Sequence, residues 1–157
     1  MPTPQPNSQH CFVCGLANPL GLKLRFYQTA PGEIVSTMVL SDEYQSYPGV
    51  VHGGIIAAML DEAGSRSQMI NDPDRQGRFM FTANMHIRYR KNVPTGQELK
   101  LVGKAGTSKC RTAQARGEIY GPEGDLLAEA ELVLVDIPDT YTQSAELELT
   151  GWKVYPE

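Results

Sequence analysis

One carboxylate among glycines and alanines, and a glycine pair behind a histidine, are the residues of this chain best suited to chemistry. They lie together in His52-Gly53-Gly54-Ile55-Ile56-Ala57-Ala58-Met59-Leu60-Asp61-Glu62-Ala63-Gly64. The stretch lacks proline and is rich in Ala, Ile, Met and Leu, which predicts a long helix from Gly53 to about Ile70. On such a helix Gly54, Ala57, Ala58, Asp61, Gly64 and Ser65 follow one another at spacings of three and four. Opposite them runs an apolar stripe of Ile55, Ile56, Met59, Leu60 and Ala63, suited to packing on a sheet. Small side chains let another backbone or a slender ligand come close. A partly desolvated carboxylate there is a sharper base or nucleophile than one in water. The plainer alternative makes Asp61 and Glu62 ordinary solvent-facing residues.

Gly53 and Gly54 supply a second function. The first N–H groups of a helix lack intrahelical acceptors and sit at the positive end of its dipole. Glycine lets a carbonyl oxygen approach them, which makes an oxyanion-type site. Gly53 and Asp61 are eight residues apart, roughly 12 Å along one helix. They cannot both reach one reacting carbonyl from the same helix. An antiparallel copy across a two-fold axis brings Asp61 of one subunit near Gly53 of the other, giving two composite sites per dimer.

The flanking segments read as strands. Leu22, Leu24 and Phe26 alternate with Lys23, Arg25 and Tyr27, and Glu33 to Leu40 follows a Pro31-Gly32 turn. After a polar link from Asn71 to Gly77, four strand-like segments cover roughly 79–91, 97–108, 110–120 and 125–136. Two strands, a helix and four strands predict an α+β domain in which an antiparallel sheet of about six strands buries one face of the helix. Residues 1–20 read as a leader, 21–137 as the domain and 138–157 as a tail.

Bulk properties narrow the field. A chain of 157 residues suits one core. A net charge of −4 gives no electrostatic reason to bind nucleic acid. The proline-rich start is unlike a signal peptide, and the longest apolar run, Ile55 to Leu60, is too short to span a membrane. Three cysteines make a poor disulfide framework, which predicts a reducing, cytoplasmic setting.

Taken together, Val51-His52-Gly53-Gly54 and Asp61-Glu62-Ala63 resemble the HGG-x7-D signature of hotdog-fold thioesterases of the phenylacetate-pathway type. Cys11-Phe12-Val13-Cys14-Gly15, with Asn18-Pro19 and Gly21-Leu22, resembles the leader of a subgroup of that superfamily. The resemblance spans about residues 11–136. It implies a hotdog fold, a curved sheet wrapped around the central helix, in homodimers that share a continuous sheet and often pair into homotetramers. The implied activity is hydrolysis of an acyl-CoA thioester to free acid and CoA, with no cofactor. The Gly53 N–H is expected to hold the thioester oxygen while Asp61 acts from the neighbouring subunit, as nucleophile or as general base. His52 and Gly54 are expected to shape the helix start and Thr82 to stand near the water. Ser46 occupies a position, six residues before His52, where relatives commonly carry Asn. Some relatives carry Glu in place of Asp61, which leaves Glu62 as a second candidate.

Basic residues are candidates to meet the phosphates of coenzyme A. Lys109 and Arg111 sit in a turn where relatives often carry positive charge, and Arg88 and Arg90 share a strand face with His86, which reads as a surface residue. His10, Cys11 and Cys14 form a metal fragment, one ligand short of a structural zinc site, and nothing in the spacing supplies the fourth. They read as packing cysteines, and no metal is expected. Two other functions fit a hotdog domain, a dehydratase or hydratase and a non-catalytic acyl-CoA-binding protein. The first needs a His and an acid paired on the helix, whereas His52 precedes it; the second has no need of Asp61.

Overall fold

A computed structural model describes residues 1–69, 78–141 and 151–157. The expected link over 71–77 and part of the tail lie outside them. Among the described residues one α-helix, α1 (Gly53–Met69), lies across a seven-stranded antiparallel sheet. The strands are β1 (Thr3–Pro4), β2 (Tyr27–Ala30), β3 (Glu33–Val39), β4 (Met80–Tyr89), β5 (Glu98–Ser108), β6 (Thr112–Tyr120) and β7 (Leu126–Asp136), in the order β1-β2-β3-β5-β6-β7-β4. The sheet has seven strands rather than about six because residues at the start of the chain add β1 to its edge, pairing Thr3 with Gln28 and Pro4 with Tyr27.

The β2 boundary also differs from expectation. Leu22, Leu24 and Phe26 are buried as their alternation predicts. Yet the N–H groups of Leu22 and Leu24 donate to Phe12 O and Val13 O at 2.8 Å, so this segment pairs with the leader before it joins the sheet. The leader packs into the same core, with Val13 and Cys14 buried and Asn7 donating through its amide to Cys14 O and Leu24 O.

Strand periodicity explains the core. Leu99 and Leu101 of β5, Ala113, Ala115 and Ile119 of β6, and Ala128, Ala130, Leu132 and Leu134 of β7 are buried under α1 with Ile56, Met59, Leu60 and Ala63. Glycines set how close the helix comes. A methyl group at Gly103 would land inside the Ala63 carbonyl, and one at Gly117 would sit 2.8 Å from Leu60 O. Gly64 does the same from the helix side: a Cβ there would meet Leu132 at 2.7 Å. Gly64 is therefore buried against the sheet, not on the open small-residue face with Asp61. A glycine used for close packing and one used for access look identical in a helical pattern.

On the outer face of the sheet, charges replace apolar side chains. Lys104–Glu118, Glu118–Arg116, Arg116–Glu129 and Glu129–Arg90 form a chain of ion pairs at 2.8 to 3.1 Å across β5, β6, β7 and the end of β4. Beside it, a groove of about 520 Å³ is lined by Asn84, His86, Lys104 and Arg116, among others.

Among the described residues, strand β4 is the far edge of the sheet and pairs with β7 alone. Phe81, Ala83, Asn84, His86, Arg88 and Tyr89 are exposed along it. A ten-residue strand with a free edge is a template for pairing with another chain.

Candidate active site

The start of α1 is built around His52. Its N–H donates to Tyr44 O at 2.8 Å, which anchors the preceding loop. Its carbonyl accepts from Ile55 N and Ile56 N at 3.0 and 3.1 Å. Its Nδ1 accepts from the Gly54 N–H at 2.9 Å, as an N-cap side chain does. An accepting Nδ1 makes the ring the neutral Nε2–H tautomer. Gly54 has a steric role as well, since a Cβ there would sit 3.1 Å from that Nδ1.

One donor is left over. Of the first-turn N–H groups, Gly54, Ile55 and Ile56 are spent on His52, and the Gly53 N–H has no acceptor among the described residues. Gly53 is held from its other side by Tyr89, whose hydroxyl donates to Gly53 O at 3.1 Å. Tyr89 was not singled out in the sequence. Its place on one face with Met85 and Ile87, opposite the arginine face, was the signal available, because that is the face turned to the helix.

Asp61 lies two turns further along α1 and is half-buried. Its Oδ1 accepts from Thr82 Oγ1 at 2.5 Å. Strict alternation along β4 would put Thr82 on the face of His86, away from the helix. A bulge between Thr82 and Asn84 adds Ala83 to one strand only, so Thr82 opposes Leu134 while Met85 opposes Leu132. The bulge reverses the parity and turns Met80, Thr82, Met85, Ile87 and Tyr89 to one side. That is how a threonine of the edge strand meets the helix carboxylate.

Glu62 points elsewhere. Its Oε1 accepts from Arg66 Nε at 2.8 Å and its Oε2 lies 4.0 Å from Cys11 Sγ. Burial pushes this carboxyl up to about 7, against the opposing pull of the Arg66 guanidinium. Arg66 itself is fully buried, with Nη1 donating to Pro6 O at 2.9 Å and to Gln5 Oε1 at 3.3 Å. Its guanidinium carbon lies 4.5 Å from the Phe26 ring centre and 4.9 Å from that of Trp152. Arg66 follows Glu62 by four residues, a spacing that signals a helix ion pair and was the one mark of it in the sequence. Nearby, the hydrogen bond with the Cys14 side chain lowers the Cys11 thiol to about 6, and the same bond together with burial pushes Cys14 up to about 12.

The remaining candidates are scattered. Ser46 is exposed in the loop before α1, where its backbone N–H donates to Val50 O at 2.8 Å, and no side-chain bond ties it to Asp61 or Thr82. Arg90 is committed to Glu129. Arg88, Lys109 and Arg111 are exposed and have no ion-pair partner among the described residues. Beside these candidates, Phe81 is exposed and packs edge-on against Tyr141, and Phe79 packs edge-on against Trp152.

An antiparallel sheet with one long helix laid across it is the arrangement expected of a hotdog domain. The thioesterase superfamily profile matches residues 48–128, and the chain belongs to that superfamily. Among solved structures, it is similar to a thioesterase superfamily protein at 28% identity and a TM-score of 0.69, over 82% of this chain and 61% of that one. The chain thus spans less than two thirds of that relative's length. It also shares its fold with zebra fish thioesterase superfamily member 2, at 18% identity and TM-score 0.68 over 79% of this chain and 92% of that one. A hypothetical thioesterase from Streptococcus pneumoniae, solved with coenzyme A, has the same fold at 20% identity and TM-score 0.64, over 73% and 85% of the two chains. Comparison with curated proteins gave no match. Among the described residues no helix is long and apolar enough to cross a membrane.

Proposed function

We propose that this protein is an acyl-CoA thioesterase whose site is shared between two subunits. The observation that carries the proposal is the pairing of an unspent Gly53 N–H with a half-buried Asp61 braced by Thr82, on one helix beside a free β4 edge. Pairing of β4 with its copy continues the sheet and runs the two helices antiparallel, so that Asp61 of one subunit faces Gly53 of the other. The thioester oxygen accepts from the Gly53 N–H, and the helix dipole stabilises the charge that builds on it. Asp61 either adds to the carbonyl carbon itself or takes a proton from the water that does. Either route breaks the C–S bond, consumes one water and releases a free acid and the CoA thiol. Thr82 fixes the orientation of the Asp61 carboxylate, leaving Oδ2 for the reaction. Exposed Arg88, Lys109 and Arg111 are the cations available to the CoA phosphates, and Arg90 is held back by Glu129. The solved relative that carries coenzyme A supports this choice of substrate. No metal or redox cofactor is needed for this hydrolysis.

Subunit mixing tests the shared site. Gly53→Pro removes the N–H at a helix position that tolerates proline, and Asp61→Asn removes the carboxylate. Each variant alone is expected to be inactive. Mixed by unfolding and refolding at equal amounts, half the dimers are heterodimers with one intact site, so activity returns to about a quarter of the wild-type value. No recovery in a sample shown to contain heterodimers would place both groups in one subunit's site.

A further inference from the structure

The leader motif is not used by the hydrolytic site, yet it is built as carefully. Cys11 Sγ, Cys14 Sγ and a Glu62 carboxylate oxygen lie within 4.8 Å of one another, and Cys11 Sγ is 4.0 Å from Glu62 Oε2. Zinc bonds of about 2.0–2.3 Å in a tetrahedron set ligand atoms roughly 3.3–3.8 Å apart, a small contraction from this arrangement. We propose that Cys11, Cys14 and Glu62 bind one divalent zinc-type cation that fastens the leader to α1.

Each ligand already has a neighbour that positions it. The Cys14 N–H donates to Cys11 Sγ at 3.4 Å. The Ser8 hydroxyl accepts from the Cys11 N–H at 3.2 Å, which leaves its own hydrogen for Cys14 Sγ at 3.6 Å. Arg66 Nε occupies Glu62 Oε1 and leaves Oε2 on the side of the thiols. Gly15 keeps the turn tight: its N–H donates to Cys11 O at 2.9 Å, and a Cβ there would collide with the same carbonyl. Charge also balances. Two thiolates and a carboxylate against the one Arg66 cation leave two negative charges, which a divalent ion neutralises. His10, exposed, is not part of the cluster; its place is taken by Glu62, which lies 48 residues from Cys14 and beyond any local spacing. Three protein ligands leave the fourth position to a water on the half-exposed Cys11 side.

The test is cobalt(II) binding to the full chain, stripped of metal and kept reduced. The expected result is one cobalt per chain with a thiolate-to-cobalt charge-transfer band, displaced by one equivalent of zinc. Cys11→Ser and Cys14→Ser should each lose most of the band, and Cys110→Ser should keep it. Glu62→Gln should weaken cobalt affinity by at least roughly 10- to 100-fold. If the cysteine variants fail to fold, the wild-type band and the Glu62→Gln affinity decide alone. Absence of the band in the wild type would overturn the proposal, as would a band that survives Cys14→Ser or an affinity unchanged by Glu62→Gln.

Discussion

Changing Asp61 to Asn is expected to lower kcat for acyl-CoA hydrolysis by about 10²- to 10⁴-fold, the usual contribution of a positioned acid–base group. Asparagine keeps the size of the side chain and an oxygen able to accept from Thr82 Oγ1, so the fold should be unaffected. What it removes is the negative charge and the free Oδ2. The fall should therefore appear in kcat with little change in KM, since Asp61 is assigned no part in holding the CoA portion. Thiol release and circular dichroism on the same samples check both halves. The companion variant is Glu62→Gln. Because Glu62 is turned to Arg66 and the leader, Glu62→Gln should lower stability by leaving Arg66 buried without its partner, yet keep kcat per folded protein within a few-fold of the wild type. The opposite ranking, with Glu62→Gln inactive and Asp61→Asn active, would transfer the reaction to the neighbouring carboxylate.

The largest effect on stability should come from Arg66→Met. Arg66 is fully buried and its Nε is paired with a Glu62 that burial already makes costly to keep charged. Removing one partner of such a pair costs about 3–5 kcal/mol, because the other charge is left without compensation. It also releases the contacts to Gln5 and Pro6 that draw the start of the chain onto α1. Urea unfolding with a chelator present should show this loss. The double variant Arg66→Met with Glu62→Gln should recover part of it, since no charge then remains buried. A loss under about 1 kcal/mol in the single variant would mean that water reaches Glu62 and the pair is not buried in solution.

Much of this was legible in the sequence because local pattern and fold agree. Proline-free apolar spacing gave α1 its start, and turn residues bounded β5, β6 and β7 to within a few residues. Gly53 at a helix start and Asp61 on a small-residue face could be placed from helical spacing, whereas the part expected of His52 came from the resemblance. Features set by tertiary contact were not. The β4 bulge that turns Thr82 to Asp61 leaves no mark in an alternating segment; Thr82 was reached through resemblance alone. Gly64 was assigned to the open face because periodicity does not tell that Leu132 packs over it. Arg66 with Trp152 joins segments 86 residues apart, beyond any local pattern. Glu62 with Cys11 likewise depends on how the leader folds back.

The most direct measurement is free-thiol release by the wild-type protein from aryl, short, medium and long acyl-CoAs. Catalytic release from at least one of them, with one free acid formed per thiol, is the predicted result, and the preferred acyl group would name the substrate class. Tight binding of acyl-CoA with no thiol released from any member of the panel would contradict the account and make the protein a binder of these ligands.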